Sequence, residues 1–236
     1  MSNNETIGMT CEMVVCLLFN IPNTIADHRW DANIADSMIT SNLLDVLLEA
    51  DVAPMEHVGG SNGPIDFMAL VENETKTLSM KTLKRKNGKI CPQGGQVTYK
   101  SFDKNNNLST QTGDLPRIQA NQIRWNWIQN HIGPFLNQMQ QKIFCCDYLL
   151  MLSNCYKKPK AELLQNKNYD FTKFDSIEFS RSLYEERPHC RKPGPAEFYS
   201  TVKGTIKGET KRIGEFQFHF KSRKEIKFRF VNSLFA

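Results

Sequence analysis

The sequence predicts an α/β fold in which a central mixed β-sheet is flanked by helices. Three observations predict it. Two segments near the N-terminus are apolar at helical spacing, two extended runs in the middle are joined by a tight polar turn, and residues 143–152 form an apolar run broken only by Asp147. Such a run suits a strand buried on both faces. A length of 236 residues suits one domain with a sizeable core, or a domain with one large appendage. The expected organisation is a single domain, 1–236, with residues 1–154 forming the core and its N-terminal helices, and residues 155–236 forming a basic region packed on it.

In chain order, residues 10–20 (TCEMVVCLLFN) repeat apolar side chains at helical spacing and stop before Pro22. Residues 33–50 do the same through Ile34, Met38, Leu43, Leu44, Leu47 and Leu48, so both predict helices. Residues 51–63 hold Pro54 and a cluster of four glycine and polar residues before Gly63, which predicts a loop. Residues 65–72 and 76–83 predict strands joined by the turn Glu72-Asn73-Glu74-Thr75. Counting by twos puts Ser79 and Lys81 on the face opposite Leu78, Met80 and Thr82. Residues 96–99 predict a third strand and residues 103–113 a polar loop. A helix is expected from Pro116 until Gly133-Pro134 interrupts it, with Asp114 as candidate cap. Residues 212–220 and 224–231 alternate in period two, with Phe216, Phe218 and Phe220 expected inward and Glu215, Gln217, His219 and Lys221 outward.

Composition bounds the function. Hydrophobic residues make up 40% and charged residues 23% of the chain, which excludes a disordered polymer. The longest apolar candidate, residues 13–19, lies between Glu12 and Pro22 and is far too short to cross a bilayer. The first five residues lack a signal-peptide layout, so a cytoplasmic protein without membrane partners is expected. The 7 cysteines form no CxxC pair and read as reduced, mostly buried thiols. His28, His57, His131, His189 and His219 match no HNH or HExxH pattern and read mostly as structural. The net charge of +5 is asymmetric: residues 1–154 carry 12 Lys/Arg against 15 Asp/Glu, and residues 155–236 carry 18 against 10. A C-terminal cationic surplus suits a phosphate-gripping surface.

The motif that carries chemistry is Gly63-Pro64-Ile65-Asp66 followed by Ser79-Met80-Lys81. A carboxylate leaving one strand and an ammonium leaving its neighbour form the smallest site able to hold a divalent cation and orient an attacking water. These residues resemble the type II restriction endonucleases of the PD-(D/E)xK nuclease superfamily. Gly63-Pro64-Ile65-Asp66 resembles the Pro-Asp element with one residue inserted, and Ser79-Met80-Lys81 resembles the (D/E)xK element with serine in the acid's place. The resemblance covers residues 33–90.

It implies a restriction-endonuclease-like core and Mg2+-dependent cleavage of double-stranded DNA. It further implies a homodimer on a palindromic target and a functional pairing with a DNA methyltransferase. Asp66 would bind metal, Lys81 would act on the water and Ser79 would line the site. The missing acid is expected from Glu49, with Asp45 next and Glu72 or Glu74 behind them. Glu215-x-Gln217 is a further alternative pair. DNA contacts are expected from Lys84, Arg85 and Lys86 in the turn beyond the hairpin, from Gln122 and Arg124 on a polar helix face, and from Gln217, His219, Lys221 and Arg223. Two rival readings stand beside this one: another nuclease of the same superfamily acting in repair, recombination or a phage, and a DNA-binding protein without catalysis, as Ser79 would allow.

Overall fold

The computed structural model describes residues 4–23, 25–59, 63–83, 89–90, 96–183, 198–218 and 224–236. Packing divides the chain into two units that interleave in sequence. The first comprises Met1–Gly88, Phe144–Lys167 and Phe235–Ala236; the second comprises Lys89–Ile143 and Asn168–Leu234. The expected division at residue 154 follows the charge, whereas the packing follows the strands. Residues 89–143 belong with the C-terminal strands, and residues 144–167 return to the N-terminal helices.

In the first unit, α1 (Asn4–Phe19) buries Ile7, Cys11, Val14 and Val15 at helical spacing. It ends where Asn20 turns left-handed (φ 54°) and the Ile21 amide donates to the Cys16 carbonyl at 2.8 Å, ahead of Pro22. The single helix expected over residues 33–50 is two, α2 (Ala32–Ile39) and α3 (Leu43–Glu49). The break lies at Thr40-Ser41-Asn42. The Thr40 and Ser41 hydroxyls donate to the carbonyls of Asp36 and Met38, and Asn42 bonds both backbone groups of Ala161 instead of continuing the helix.

Residues 51–63, expected as a loop, contain strand β1 (Ala53–His57), an edge strand that tolerates Pro54 beside a bulge. Then follow β2 (Phe67–Val71) and β3 (Glu74–Leu83), joined as expected. Glu72 and Asn73 are both left-handed (φ 49° and 66°) between the paired residues Val71 and Glu74, the two-residue hairpin turn that matches strand twist. Strands β6 (Tyr148–Ser153) and β7 (Lys160–Gln165) complete the order β1-β2-β3-β6-β7. β3 and β6 run parallel and all other pairs antiparallel, so the sheet is mixed. Leu149, Leu150, Met151 and Leu152 are all buried, as the apolar run predicted. Leu78, Leu150 and Leu152 join Val14, Met38 and Leu47 in one core between sheet and helices.

The second unit contains β4 (Lys89–Ile90), β5 (Val97–Thr98), α4 (Tyr99–Asn105), α5 (Ser109–Thr112), α6 (Arg117–Asn130) and α7 (Ile132–Ile143). It continues with β8 (Ser176–Leu183), β9 (Phe198–Ile206), β10 (Glu209–Phe218) and β11 (Glu225–Val231). The polar stretch 103–113, expected as a loop, carries the end of α4 and all of α5, with Thr112 donating to Asp103 in a buried network. Gly133-Pro134 does not end the helical region but opens α7, where a first-turn proline costs no hydrogen bond. The antiparallel order is β4-β11-β10-β9-β8. One face is aromatic, with Trp125 and Phe135 packed on Phe216 at centroid distances of 5.5 and 5.4 Å. Among the described residues no helix is long and apolar enough to cross a membrane.

Candidate active site

The β2–β3 ladder is interrupted just before Phe67. The Asp66 amide still donates to the Leu78 carbonyl at 3.1 Å, but the next β3 amide, that of Met80, is accepted by the Asp66 carboxylate at 2.6 Å. The Asp66 carbonyl meanwhile accepts from Val58 and Gly59 at 2.9 and 3.1 Å. Ser79, fully buried, donates its hydroxyl to the Pro64 carbonyl and lies against Cys146. The Gly63-to-Asp66 segment is thereby strapped to β3 by side chains, and the Asp66 carboxylate is held one residue from Lys81. The Lys81 ammonium lies close enough to favour the charged form of Asp66.

A second acid reaches the same place from α1. Glu12 is buried, and its carboxyl lies 3.0 Å from Nε2 of His57, the last residue of β1. His57 packs its ring on Phe67 at 5.1 Å. Gly59 closes over this pair, for a Cβ there would stand 2.6 Å from Glu12 Oε2 and 2.7 Å from His57 Nε2. Burial pushes the Glu12 carboxyl up to about 7, against a lowering by Arg29. Burial and then the neighbouring Glu12 charge push Asp66 up to about 7 as well, against the Met80 amide, His57 and Lys81. His57 moves the other way: burial lowers it, although Asp66 opposes this. The Glu12–His57 contact is therefore closer to a hydrogen bond between neutral partners than to an ion pair.

Glu12 and Lys81 both line a cleft of about 480 Å³, together with Asn4, Gly8, Met80, Thr82 and Leu83. Burial pushes both carboxyls upward, with the Glu12 charge adding to the effect on Asp66, and a divalent cation would relieve that cost. Mg2+ characteristically takes only one or two carboxylates and fills its shell with water and substrate oxygens. Among the described residues no group of three or more His, Cys, Asp or Glu side chains converges as a fuller ligand set. The two carboxyls present fit Mg2+ in its two-carboxylate mode.

The structure brings Asp66, Lys81 and Ser79 together on one hairpin, and the acid it places beside them is Glu12. Glu49 is exposed at the end of α3, and Asp45 is exposed one turn earlier. Glu72 and Glu74 are exposed in the turn. Sequence reasoning passed over Glu12 as part of an amphipathic helix. The available signal was that Glu12 is the sole charged residue between Thr6 and Ala26, set among residues at core spacing. His57, read as structural, proves to be the partner of that acid.

The expected DNA contacts fare unevenly. Gln122 is exposed and donates to Asn126 at 2.8 Å. Arg124 is buried, bonded to Asp103 through Nε at 2.7 Å and to Asn121 at 2.6 Å, and stacked over Tyr99 at 4.3 Å. Its donors are committed within the second unit. Gln217 is also buried, donating to Glu215 at 3.3 Å, because the polar face of β10 is covered as well as the aromatic one. Burial alone would raise the Glu215 carboxyl, but Lys89 at 2.5 Å and Arg229 hold it below its ordinary value. A carboxylate already neutralised by two cations is poorly suited to the alternative Glu215-x-Gln217 pair. Lys84, Arg85, Lys86, His219, Lys221 and Arg223 lie outside the described residues.

No family model matches the chain. It is 29% identical over 229 residues to the type II restriction enzyme CviAII of Paramecium bursaria Chlorella virus 1. The alignment takes in 95% of this chain and 57% of the relative, so the chain spans little more than half of that protein's length.

Proposed function

We propose that this chain is a Mg2+-dependent endonuclease of the type II restriction kind, hydrolysing phosphodiester bonds in double-stranded DNA at a site built from Glu12, Asp66 and Lys81. The observation that carries the reading is the convergence at the β2–β3 hairpin of one buried and one half-buried carboxyl, both pushed upward, with a lysine beside them. The similarity to a restriction enzyme over nearly the whole chain supports it, as does the five-stranded mixed sheet, which we take as a restriction-endonuclease-like core.

Glu12 and Asp66 would hold the Mg2+, which when bound supplies positive charge to the phosphodiester and acidifies a coordinated water. Asp66 is aimed by the Met80 amide, and Pro64 is tied down by Ser79, so the carboxylate is positioned before substrate arrives. Lys81 places a further positive charge in the cleft, where it orients the attacking water or neutralises the phosphate. Ser79 supplies no charge; its part is to anchor the loop that carries Asp66. A palindromic target would be met by a homodimer, and protection of host DNA would call for a companion methyltransferase.

Digestion of plasmid DNA with Mg2+ tests this. Discrete fragments from the wild type, lost on Asp66→Ala and reduced about 10²–10⁴-fold on Lys81→Ala, support it. A smear or a preference for branched substrates would transfer the site to a repair or recombination nuclease. Retarded DNA with no metal-dependent product at any protein level would leave a binding protein only.

A further inference from the structure

The α2–α3 break and the turn between β6 and β7 enclose a second cavity in the first unit, of about 580 Å³. Its walls include Ser41, Asn42, Asn154, Lys157, Lys158 and Lys160, and no acidic side chain lines it. Lys160 is 3.6 Å from Glu162, but neither Lys157 nor Lys158 makes an ion pair among the described residues. The neutral donors of the wall are already committed. The Ser37, Thr40 and Ser41 hydroxyls donate to helix carbonyls, and the Asn42 and Asn154 amides donate to the carbonyls of Ala161 and Lys158. What the cavity has left to offer is ammonium charge. Such a wall selects an anion and has little means of reading a base edge.

The lysines are carried on a stiff turn. Asn154 is left-handed (φ 59°), its carbonyl accepts the Lys157 amide at 3.0 Å, and Pro159 follows. The buried Cys155 ties the turn to the catalytic strand, its amide donating to the Leu83 carbonyl at 3.3 Å. Leu83 lines the cleft of Glu12 and Lys81 and stands two residues beyond Lys81 on β3. Because β3 and β6 are parallel, both cavities lie at the same end of that strand pair. At about 3.3 Å per residue along a strand and 4.8 Å between strands, the lysines are on the order of 10–20 Å from Lys81. A DNA strand offers a phosphate about every 3.4 Å of helix axis, so that distance corresponds to a few nucleotides.

We infer that this lysine-lined cavity is a phosphate subsite, filled by a backbone phosphate a few nucleotides from the bond presented to Asp66 and Lys81. The inference rests on the nuclease reading for the source of the phosphate, while the affinity for a phosphate oxyanion rests on the cavity alone.

The test is binding of a fluorescently labelled duplex to the full chain in EDTA, followed by anisotropy across a salt series. The Lys157→Ala/Lys158→Ala double variant should bind more weakly, and its slope of log affinity against log salt should flatten by about 0.9 for each phosphate released. The Lys157→Arg/Lys158→Arg variant should keep the wild-type slope. An unchanged slope in a double variant that melts like the wild type would overturn the inference. Thermal protection by inorganic phosphate in the wild type alone, again with an unchanged slope, would assign the cavity to free phosphate and equally overturn it. Failure of the wild type to bind duplex DNA would remove both this inference and the nuclease reading. No cleavage occurs in EDTA, so a flattened slope in a protein that never cuts plasmid would sink the nuclease reading and leave the subsite standing.

Discussion

The Asp66 carboxylate accepts the Met80 amide hydrogen at 2.6 Å, in the position where a backbone carbonyl would have continued the β2–β3 ladder. One oxygen thus stands in for the strand, and the proposed metal would take the other. Burial around the carboxyl is the largest cause of its weakened acidity.

That burial has a pH signature. Folded Asp66 and Glu12 titrate at about 7, against ordinary values of 3.8 and 4.5, so the folded protein holds more protons than the unfolded chain across that interval. The stability tied to these two groups is therefore fully present below about pH 4 and is lost as pH rises through 7. Asp66→Asn, which keeps an acceptor for Met80, should melt higher than the wild type at pH 8 in EDTA and match it near pH 4. Adding Mg2+ at pH 8 should stabilise the wild type and not the variant. Equal melting of the two proteins at both pH values would mean that Asp66 is ordinarily acidic.

Glu12 and Glu49 make opposite predictions about metal demand. Glu12→Gln should shift the Mg2+ dependence of plasmid cleavage to much higher concentration, because one of two carboxylates is gone. Glu49→Gln should superimpose on the wild type, since Glu49 is exposed at the end of α3. Metal titrations in which the two variants exchanged behaviour would restore Glu49 as the ligand.

Gly59 is a steric probe of the same acid. A methyl group there would press on Glu12 Oε2 and His57 Nε2 together. Gly59→Ala should cost about 1–3 kcal/mol of stability, and cleavage should fall by more than that loss of folded protein explains. Denaturant melts run beside cleavage rates separate the two effects. Wild-type cleavage by the alanine variant would show that Glu12 can move freely.

Asp103 and Arg124 test the reassignment of Arg124 from DNA contact to internal strut. Asp103→Ala would leave a buried guanidinium without its carboxylate and should destabilise the protein by about 3–5 kcal/mol, read from chemical denaturation. A variant of normal stability with weakened DNA binding would return Arg124 to the interface.

Legibility in the sequence followed how local each feature is. The hairpin was readable because Glu72-Asn73 and the flanking alternation lie within a few residues of one another, and β6 because its apolar run has no other economical use. β1 was hidden by Pro54, which only an edge position tolerates, and α4 and α5 by a polar sequence whose order comes from the Asp103 network. Alternation in β10 was legible, but its outer side was not open: Glu215 and Gln217 are as covered as Phe216. Asp66 and Lys81 could be read as neighbours because one hairpin carries both. Glu12 could not, since its approach depends on how α1 docks against β3 and β1.

That docking separates where a carboxylate sits in space from where it sits in the chain. Ser79 stands where the resemblance would place an acid, while the charge of Glu12, 54 residues upstream, reaches Asp66. A pattern search confined to the hairpin would score such a chain as a dead enzyme. On the proposed reading, a variant lacking the first helix would lose Glu12 as the second carboxyl, although every hairpin residue would remain in the sequence.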